Sequence, residues 1–260
     1  MSLPPDIGLA ASAWFDLPLA AALAQVARVA GLAEVYSDYN HSLTTAANRQ
    51  AAAHSGLRLT VHGPWEGADV GDPSETGRRA ALDVHHRHLE AAAEVGACVY
   101  VLHPDYSREP IVRSAAVRDA LQRSIVELSA LQHEYGVEVA VENLAGADHG
   151  HFARPGDLDL GGLGLALDTG HAAACGALDD FLRAPQGRLR HVHLHDNPGP
   201  RDGATGPAPH LALGLGIVDA GAVLAAARRA GATVIIEVLT PAGVMASLDH
   251  LRREGLVEAC

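Results

Sequence analysis

One pattern repeats along the whole chain: a short apolar run, followed by a longer stretch whose apolar residues lie three and four positions apart. The short runs are β-branched or leucine-rich and are bounded by Gly, Pro or Asp, which is typical of buried strands. The longer stretches end near Gly, as helices do. Strands that alternate with helices predict a parallel sheet, and eight such units predict closure into an α/β barrel of the (β/α)8, or TIM, type.

The pattern gives eight strands, seven of them linked onward by a helical stretch and the last followed by a final helix. The predicted strands are 6–12, 32–37, 57–63, 98–104, 137–143, 163–170, 189–195 and 233–239. The clearest helical stretches are 18–31, 77–96, 114–136, 219–231 and 241–255. The rival fold, an open doubly wound sheet, would need a phosphate-binding loop, and no GxGxxG follows the first strand.

Length and composition narrow the class of protein. A chain of 260 residues is ordinary for one barrel, so we expect a single domain over residues 1–260. The sequence shows no signal peptide, with its basic segment and apolar run, and no apolar run long enough to span a membrane. We therefore expect a soluble cytoplasmic protein without a membrane partner. The formal net charge of −12 argues against a nucleic-acid partner. All 19 basic residues other than histidine are arginines, which excludes a catalytic lysine.

Six successive predicted strands carry a metal-ligand type of side chain at or near their C-terminal ends, where this fold has its active-site mouth. One such histidine alone is more often a hydrogen-bonded core residue, but a carboxylate in an apolar strand needs a partner, and a metal supplies one. Carboxylates and imidazoles without thiolates favour Mn²⁺, Zn²⁺, Co²⁺ or Fe²⁺. The six residues are His62, His103, Glu142, Asp168, His193 and Glu237.

Other histidines leave alternatives open. His191, His193 and His195 alternate along strand seven and therefore point to the same side of the sheet, so spacing does not decide which of them binds a metal. The cluster 85–88 in the third helical region is expected to be a solvated or packing face.

Seven motifs together resemble the xylose-isomerase-like TIM barrel superfamily, which includes sugar isomerases, sugar epimerases and the DNA-repair enzyme endonuclease IV. The resemblance covers nearly the whole chain, most clearly from strand three onward. The motifs are VHGPW (61–65), LHP (102–104), VEN (141–143), LDTGH (167–171), HLHDN (193–197), HLALGLG (210–216) and IIEV (235–238).

The resemblance implies that Glu142, Asp168, His193 and Glu237 are the four ligands of one divalent metal ion, with Mn²⁺ or Zn²⁺ preferred and Co²⁺, Fe²⁺ or Mg²⁺ as alternatives. In the epimerase-like branch it also makes the two glutamates the catalytic acid and base. Hydride transfer, the other style of the superfamily, normally involves a lysine, so proton transfer is favoured.

The resemblance to endonuclease IV concerns further histidines. His62 and His103 match residues that bind a second metal there, with Glu142 as the bridge. His171 and His210 match ligands of a third metal, but the required Asp two residues before His210 is Ala208 here. We therefore expect one metal rather than the full set, and expect these four histidines to contact the substrate.

The function predicted is a metal-dependent isomerase or epimerase acting on a small sugar-like molecule. The alternatives are an abasic-site DNA phosphodiesterase and a metal-binding barrel without catalysis. The long loop 196–216 is expected to contact the substrate, with Arg201 either binding a phosphate or pairing with Asp202. Trp65 either stacks on a sugar face or packs in the core.

Overall fold

Eight parallel strands close into a barrel in the order in which they occur along the chain. The computed structural model describes residues 3–104, 115–145, 152–184, 186–200 and 209–258. All eight predicted strands are confirmed, with slightly shorter bounds. They are Ile7–Ala10 (β1), Leu32–Tyr36 (β2), Arg58–His62 (β3), Val99–Leu102 (β4), Glu138–Glu142 (β5), Gly164–Asp168 (β6), Leu189–Leu194 (β7) and Thr233–Ile236 (β8).

Helices surround the barrel and connect most of the strands. They are Leu19–Val26 (α1), Ala46–Ala53 (α2), Glu75–Glu94 (α3), Ala115–Tyr135 (α4), Thr169–Ala174 (α5), Leu178–Arg183 (α6), Ala220–Ala230 (α7) and Pro241–Arg253 (α8). One expectation is wrong: the described part of the connection from β5 to β6, residues 143–145 and 152–163, contains no helix. That segment is rich in Gly, Asp and Pro, which favour turns over helix. No helix in the described ranges is both long and apolar enough to cross a bilayer.

Alternation along each strand separates the core into two layers. In β5, Val139 and Val141 face the helices and join the large apolar core, whereas Ala140 joins a small cluster inside the barrel. The same period of two turns Glu142 inward, at the C-terminal end of the strand. Register then aligns the strand ends: Asp168 of β6 lies opposite His193 of β7. The fold therefore gathers polar side chains from different strands at one mouth.

Candidate metal and active site

A cavity of about 620 Å³ opens at the C-terminal mouth of the barrel. Most of the residues predicted from sequence to bind metal or substrate line it, namely His62, Trp65, His103, Glu142, His171, His210 and Glu237. Asp168 and His193 are completely buried beside it, within contact distance of these residues. Arg201 and Ala208 lie outside the described residues.

Glu142 is the centre of the cluster, because its two carboxylate oxygens face different histidines. Its Oε2 lies 3.1 Å from His62 Nε2, 3.3 Å from His103 Nε2 and 3.4 Å from His193 Nδ1. Its Oε1 lies 3.5 Å from His171 Nδ1. Glu142 is only 1% exposed, so this negative charge needs compensation within the protein.

Glu237 faces the same point from β8, across the barrel mouth. Its Oε2 lies 3.4 Å from His193 Nδ1, and both atoms are buried without a hydrogen bond. Charge-assisted hydrogen bonds are shorter, about 2.7–2.9 Å. Two ligand atoms held 2.0–2.2 Å from one tetrahedral ion lie about 3.4 Å apart. The spacing of this pair therefore suits ligation of a cation.

Backbone carbonyls fix the orientation of two imidazoles that reach the site. His62 Nδ1 donates to the Gly63 carbonyl at 2.7 Å, and His195 Nδ1 donates to the Asp196 carbonyl at 3.2 Å. A carbonyl only accepts, so the other ring nitrogen faces a carboxylate and needs a proton or a metal between them. Donation of the second N–H to a carbonyl is the usual support of metal-bound histidine. The donor set therefore fits a divalent metal ion.

The LDTGH motif has a structural explanation for each of its polar and small residues. Asp168 accepts from the backbone N–H of His171 at 2.6 Å, and both its oxygens lie 3.0 Å from His195 Nε2. The Thr169 hydroxyl lies within hydrogen-bond distance of the carbonyls of His193 and His195 and of the His195 N–H. Gly170 leaves the space that the His195 ring occupies, since a Cβ there would overlap it.

The HLHDN and HLALGLG motifs meet through one buried carboxylate. Asp196 Oδ1 accepts from the backbone N–H groups of Asn197 and Val218, at 2.9 and 3.0 Å. Its Oδ2 accepts from those of Gly214 and Gly216, at 2.9 and 2.8 Å. Asp196 is 1% exposed, and it holds the loop before α7 against the end of β7.

This attachment determines where His210 lies. The His210 ring stacks on His195 with centroids 4.0 Å apart, and its Nε2 lies 3.7 Å from Glu237 Oε2. Burial, with the charge of His195, lowers the pKa of His210 to about 4, so the ring is neutral at physiological pH. A neutral imidazole can donate or accept a hydrogen bond in the cavity or ligate a metal.

The buried charges shift the pKa of the principal groups. Burial raises the pKa of Glu142, but His193 and His103 outweigh it and hold that pKa well below its usual range. Burial also raises the pKa of Asp168, but the charges of His171 and His195 outweigh this effect and hold that pKa below its usual range. Both carboxylates are therefore ionised at neutral pH.

The sequence prediction missed Glu34, at the middle of β2. Its Oε1 lies 2.9 Å from His193 Nε2 and its Oε2 lies 2.9 Å from His191 Nε2. Thr60 donates to its Oε2 at 3.2 Å. The signal was present, because Glu34 is a carboxylate in an apolar strand, as Glu142 is. Burial lowers the pKa of His193, but the negative charges of Glu237, Glu34 and Glu142 raise it well above its usual value.

The histidines of α3 form a packing face, which was one of the two expectations. His85 donates from Nε2 to the Ala68 carbonyl and accepts from the Tyr100 hydroxyl, each at 2.9 Å. His88 is buried against the Ser37 hydroxyl at 2.9 Å. Burial lowers the pKa of both rings to about 4.

A closed parallel barrel with buried histidines and carboxylates at its C-terminal mouth defines a class: TIM barrels with a candidate metal site. The model of the xylose isomerase-like TIM barrel family matches residues 31–254, and the chain belongs to this family. A probable endonuclease 4 of Mycobacterium ulcerans is 31% identical over 236 residues, covering 85% of this chain and 88% of the relative.

Two solved structures share the fold over nearly their full length. One is a D-tagatose 3-epimerase-like protein, with a TM-score of 0.82 and 22% identity, covering 95% of this chain and 96% of the other. The second is the 3-keto-D-glucoside 4-epimerase from E. coli, with a TM-score of 0.78 and 23% identity, covering 96% and 100%. At this level of identity the likeness shows the fold alone.

Proposed function

We propose that this protein is a divalent-metal-dependent sugar epimerase or isomerase in which Glu142 and Glu237 transfer the proton. The observation that carries the proposal is that these two glutamates line one cavity and that each has an oxygen 3.4 Å from His193 Nδ1. The proposed ligands of one ion, Mn²⁺ or Zn²⁺ by preference, are Glu142, Asp168, His193 and Glu237. The sugar epimerases among the structural neighbours support the choice of a sugar epimerase or isomerase.

The chemistry needs a base and an acid on two sides of one carbon. A bound divalent ion would polarise the substrate carbonyl and a neighbouring hydroxyl, which acidifies the intervening C–H. One glutamate then accepts the proton from that carbon. The second glutamate returns a proton to the opposite face, which inverts the carbon, or to the neighbouring carbon, which moves the carbonyl. Glu142 is ionised at neutral pH, which a base requires.

The remaining polar side chains of the cavity are proposed to hold the sugar hydroxyls. His103, His171 and His210 are partly exposed to the cavity, at 13%, 13% and 18% of their side-chain area, so each can reach a ligand. His62 is instead buried against Glu142 and is the proposed ligand, with His103, of a second ion if one binds.

Deuterium exchange tests the proton transfer whatever the identity of the product. Metal-loaded protein is incubated in D₂O with D-tagatose, D-psicose or D-fructose, and incorporation next to the carbonyl is followed by NMR. We expect incorporation by the wild type and almost none by Glu142→Gln or Glu237→Gln, with metal binding retained in at least one variant. Glu138→Gln is the matched control, because Glu138 lies on the same strand but pairs with Arg190 at 2.9 Å. Near-wild-type exchange by either site variant contradicts the mechanism.

A second candidate is a phosphodiesterase, since the sequence relatives include probable endonuclease 4 proteins. The contacts of Glu142 with His62 and His103 on one oxygen and with His171 on the other suit a carboxylate that bridges two ions. The net charge of −12 and Ala208 weigh against it. Incision of an abasic-site duplex at physiological salt would promote this candidate.

The number of metal ions separates the two candidates. The epimerase mechanism needs one ion, and elemental analysis of protein loaded with Zn²⁺ or Mn²⁺ is expected to give one equivalent per chain. Two equivalents, with the second removed by both His62→Ala and His103→Ala, would favour phosphoester chemistry.

A further inference from the structure

The mouth of the barrel has two chemically different sides. Histidines and carboxylates lie at or next to the C-terminal ends of β3 to β8, as described above. The end of β2 and the segments that follow β1 and β2 instead present Ser12, Phe15, Tyr36 and Tyr39 to the same cavity. Nothing in the proposed proton transfer uses this side, which we call the aromatic wall.

The aromatic wall is a packed surface that continues to the metal-binding side. The Phe15 ring meets Tyr36 and Tyr39 edge to face, with centroids 6.3 and 6.2 Å apart. Tyr36 in turn stacks on His62 at 4.5 Å. Edge-to-face contacts hold aromatic rings in defined positions. A ligand that reaches the metal site from the mouth therefore passes along a fixed row of rings.

Tyr39 is held at the rim in an unfavourable backbone conformation. Its φ of 44° is the only positive value for a non-glycine among the described residues. The Asp38 carboxylate accepts from the Tyr39 N–H at 2.9 Å, and the Asn40 amide donates to the Phe15 carbonyl at 2.6 Å. Even so, the Tyr39 side chain is 57% exposed. Backbone strain that leaves an aromatic side chain in solvent is typical of ligand sites.

The rim of the cavity is also apolar at the end of β8. Leu239 is 59% exposed and lies two residues after Glu237. Among the described residues that line the cavity, the carboxylates are Glu142 and Glu237 and there is no arginine. The aromatic wall therefore offers apolar surface and hydroxyl groups, and the charged groups beside Tyr39 are the carboxylates of Asp38 and Glu66, which disfavour a phosphate or a second acidic group.

We propose that the substrate is an amphipathic keto-glycoside: its sugar ring, which carries the carbonyl that the proton transfer needs, lies against the histidines and glutamates, and an aryl group on the sugar lies against the aromatic wall. This inference rests on the proposed function, since it takes the polar side of the cavity as the sugar site. A free hexose would leave much of the Tyr39 ring exposed to solvent, whereas an aryl group covers that surface and gains the hydrophobic contribution of its own ring.

Binding of matched ligands tests the wall directly. The affinities of methyl and phenyl β-glycosides of the same sugar, on glucose, galactose and xylose, are measured by calorimetry with metal-loaded protein. Burial of a phenyl ring predicts a gain of about tenfold or more over methyl for at least one sugar. The gain should disappear in Phe15→Ala and Tyr39→Gly, and should persist in Tyr39→Phe.

Tyr39→Gly separates loss of contact from loss of fold. Glycine adopts positive φ without strain, so this variant should be at least as stable as the wild type while lacking the ring. Leu215→Ala is the control for a surface apolar residue, since Leu215 is 68% exposed and does not line the cavity. It should keep the phenyl preference.

The outcomes distinguish this inference from the proposed function. Equal affinity for methyl and phenyl partners, no binding of either, or a phenyl preference unchanged in Tyr39→Gly and Phe15→Ala, would overturn the aryl subsite even if deuterium exchange on simple ketoses succeeds. The opposite outcome is a phenyl preference that depends on the aromatic wall, with no deuterium exchange on any ketose or keto-glycoside. That result would support the aryl subsite and refute the epimerase chemistry.

Discussion

Removal of the Asp196 carboxylate should destabilise the protein more than an ordinary surface change. The side chain accepts four backbone hydrogen bonds, and two of the donors, the N–H groups of Asn197 and Val218, are buried. The other two, from Gly214 and Gly216, are partly buried. A buried donor without a partner costs about 1–3 kcal/mol, and one that can reach water costs less. We therefore expect Asp196→Ala to lower the free energy of unfolding by about 4 kcal/mol.

Two measurements check this magnitude and its cause. Urea denaturation gives the change in the free energy of unfolding, and hydrogen exchange gives the protection of the amides of Gly214, Gly216 and Val218. Asp219→Ala is the matched control, because Asp219 also accepts a backbone N–H near this loop, from Ala222 at 2.9 Å, but is exposed. The control should cost about 1 kcal/mol as a lost helix cap.

The explanation would be refuted by a loss below about 1 kcal/mol for Asp196→Ala, within the range of an ordinary surface change. Unchanged exchange at the three amides would refute it as well. If the explanation holds, the stack of His210 on His195 should loosen with the loop, and the His210 ring resonances should lose their dependence on His195.

Three further predictions follow from close contacts. Gly170→Ala should cost about 2 kcal/mol in urea unfolding, because the new methyl group overlaps the His195 ring; a neutral result would show that the ring has room to move. Burial lowers the pKa of His85 from 6.5 to about 4, so as the pH falls the unfolded chain binds the proton before the folded protein does. The contribution of His85 to the free energy of unfolding should therefore be constant above about pH 6.5 and fall by about 3 kcal/mol towards pH 4. In denaturation measured against pH, His85→Gln should flatten that fall. Glu34→Gln should weaken Mn²⁺ or Zn²⁺ binding about 10- to 100-fold in a chelator competition, because Glu34 contacts the His193 ring nitrogen that faces away from Glu142 and Glu237. An unchanged metal affinity would show that Glu34 does not support His193 as a ligand.

The fold was predictable because its signals are local. Strand period, turn residues and the repeat of strand and helix are all set by neighbours in the chain, and all eight strands lie within the predicted runs. The connection after β5 shows the limit, because the strand–helix repeat predicted a helical link there, whereas its described residues, 143–145 and 152–163, contain no helix and favour turns.

The candidate site was predictable in its composition but not in its contacts. The strand-end rule brings Glu142, Asp168, His193 and Glu237 to one mouth because all parallel strands end there. That these four residues bind one metal stays a prediction. The three histidines of the predicted strand 189–195 were equivalent by spacing.

Tertiary structure alone decided what His191, His193 and His195 each contact. His191 and His193 meet Glu34 of β2, which is not a neighbouring strand but lies across the barrel interior. His195 instead pairs with Asp168 and supports His210. Such contacts depend on barrel closure and on the register of distant strands, which no local pattern encodes. The same is true of the aromatic wall, whose rings come from the segment after β1, from the end of β2 and from the segment after β2. The sequence determined which side chains point to the mouth, and the closed barrel decided which of them meet.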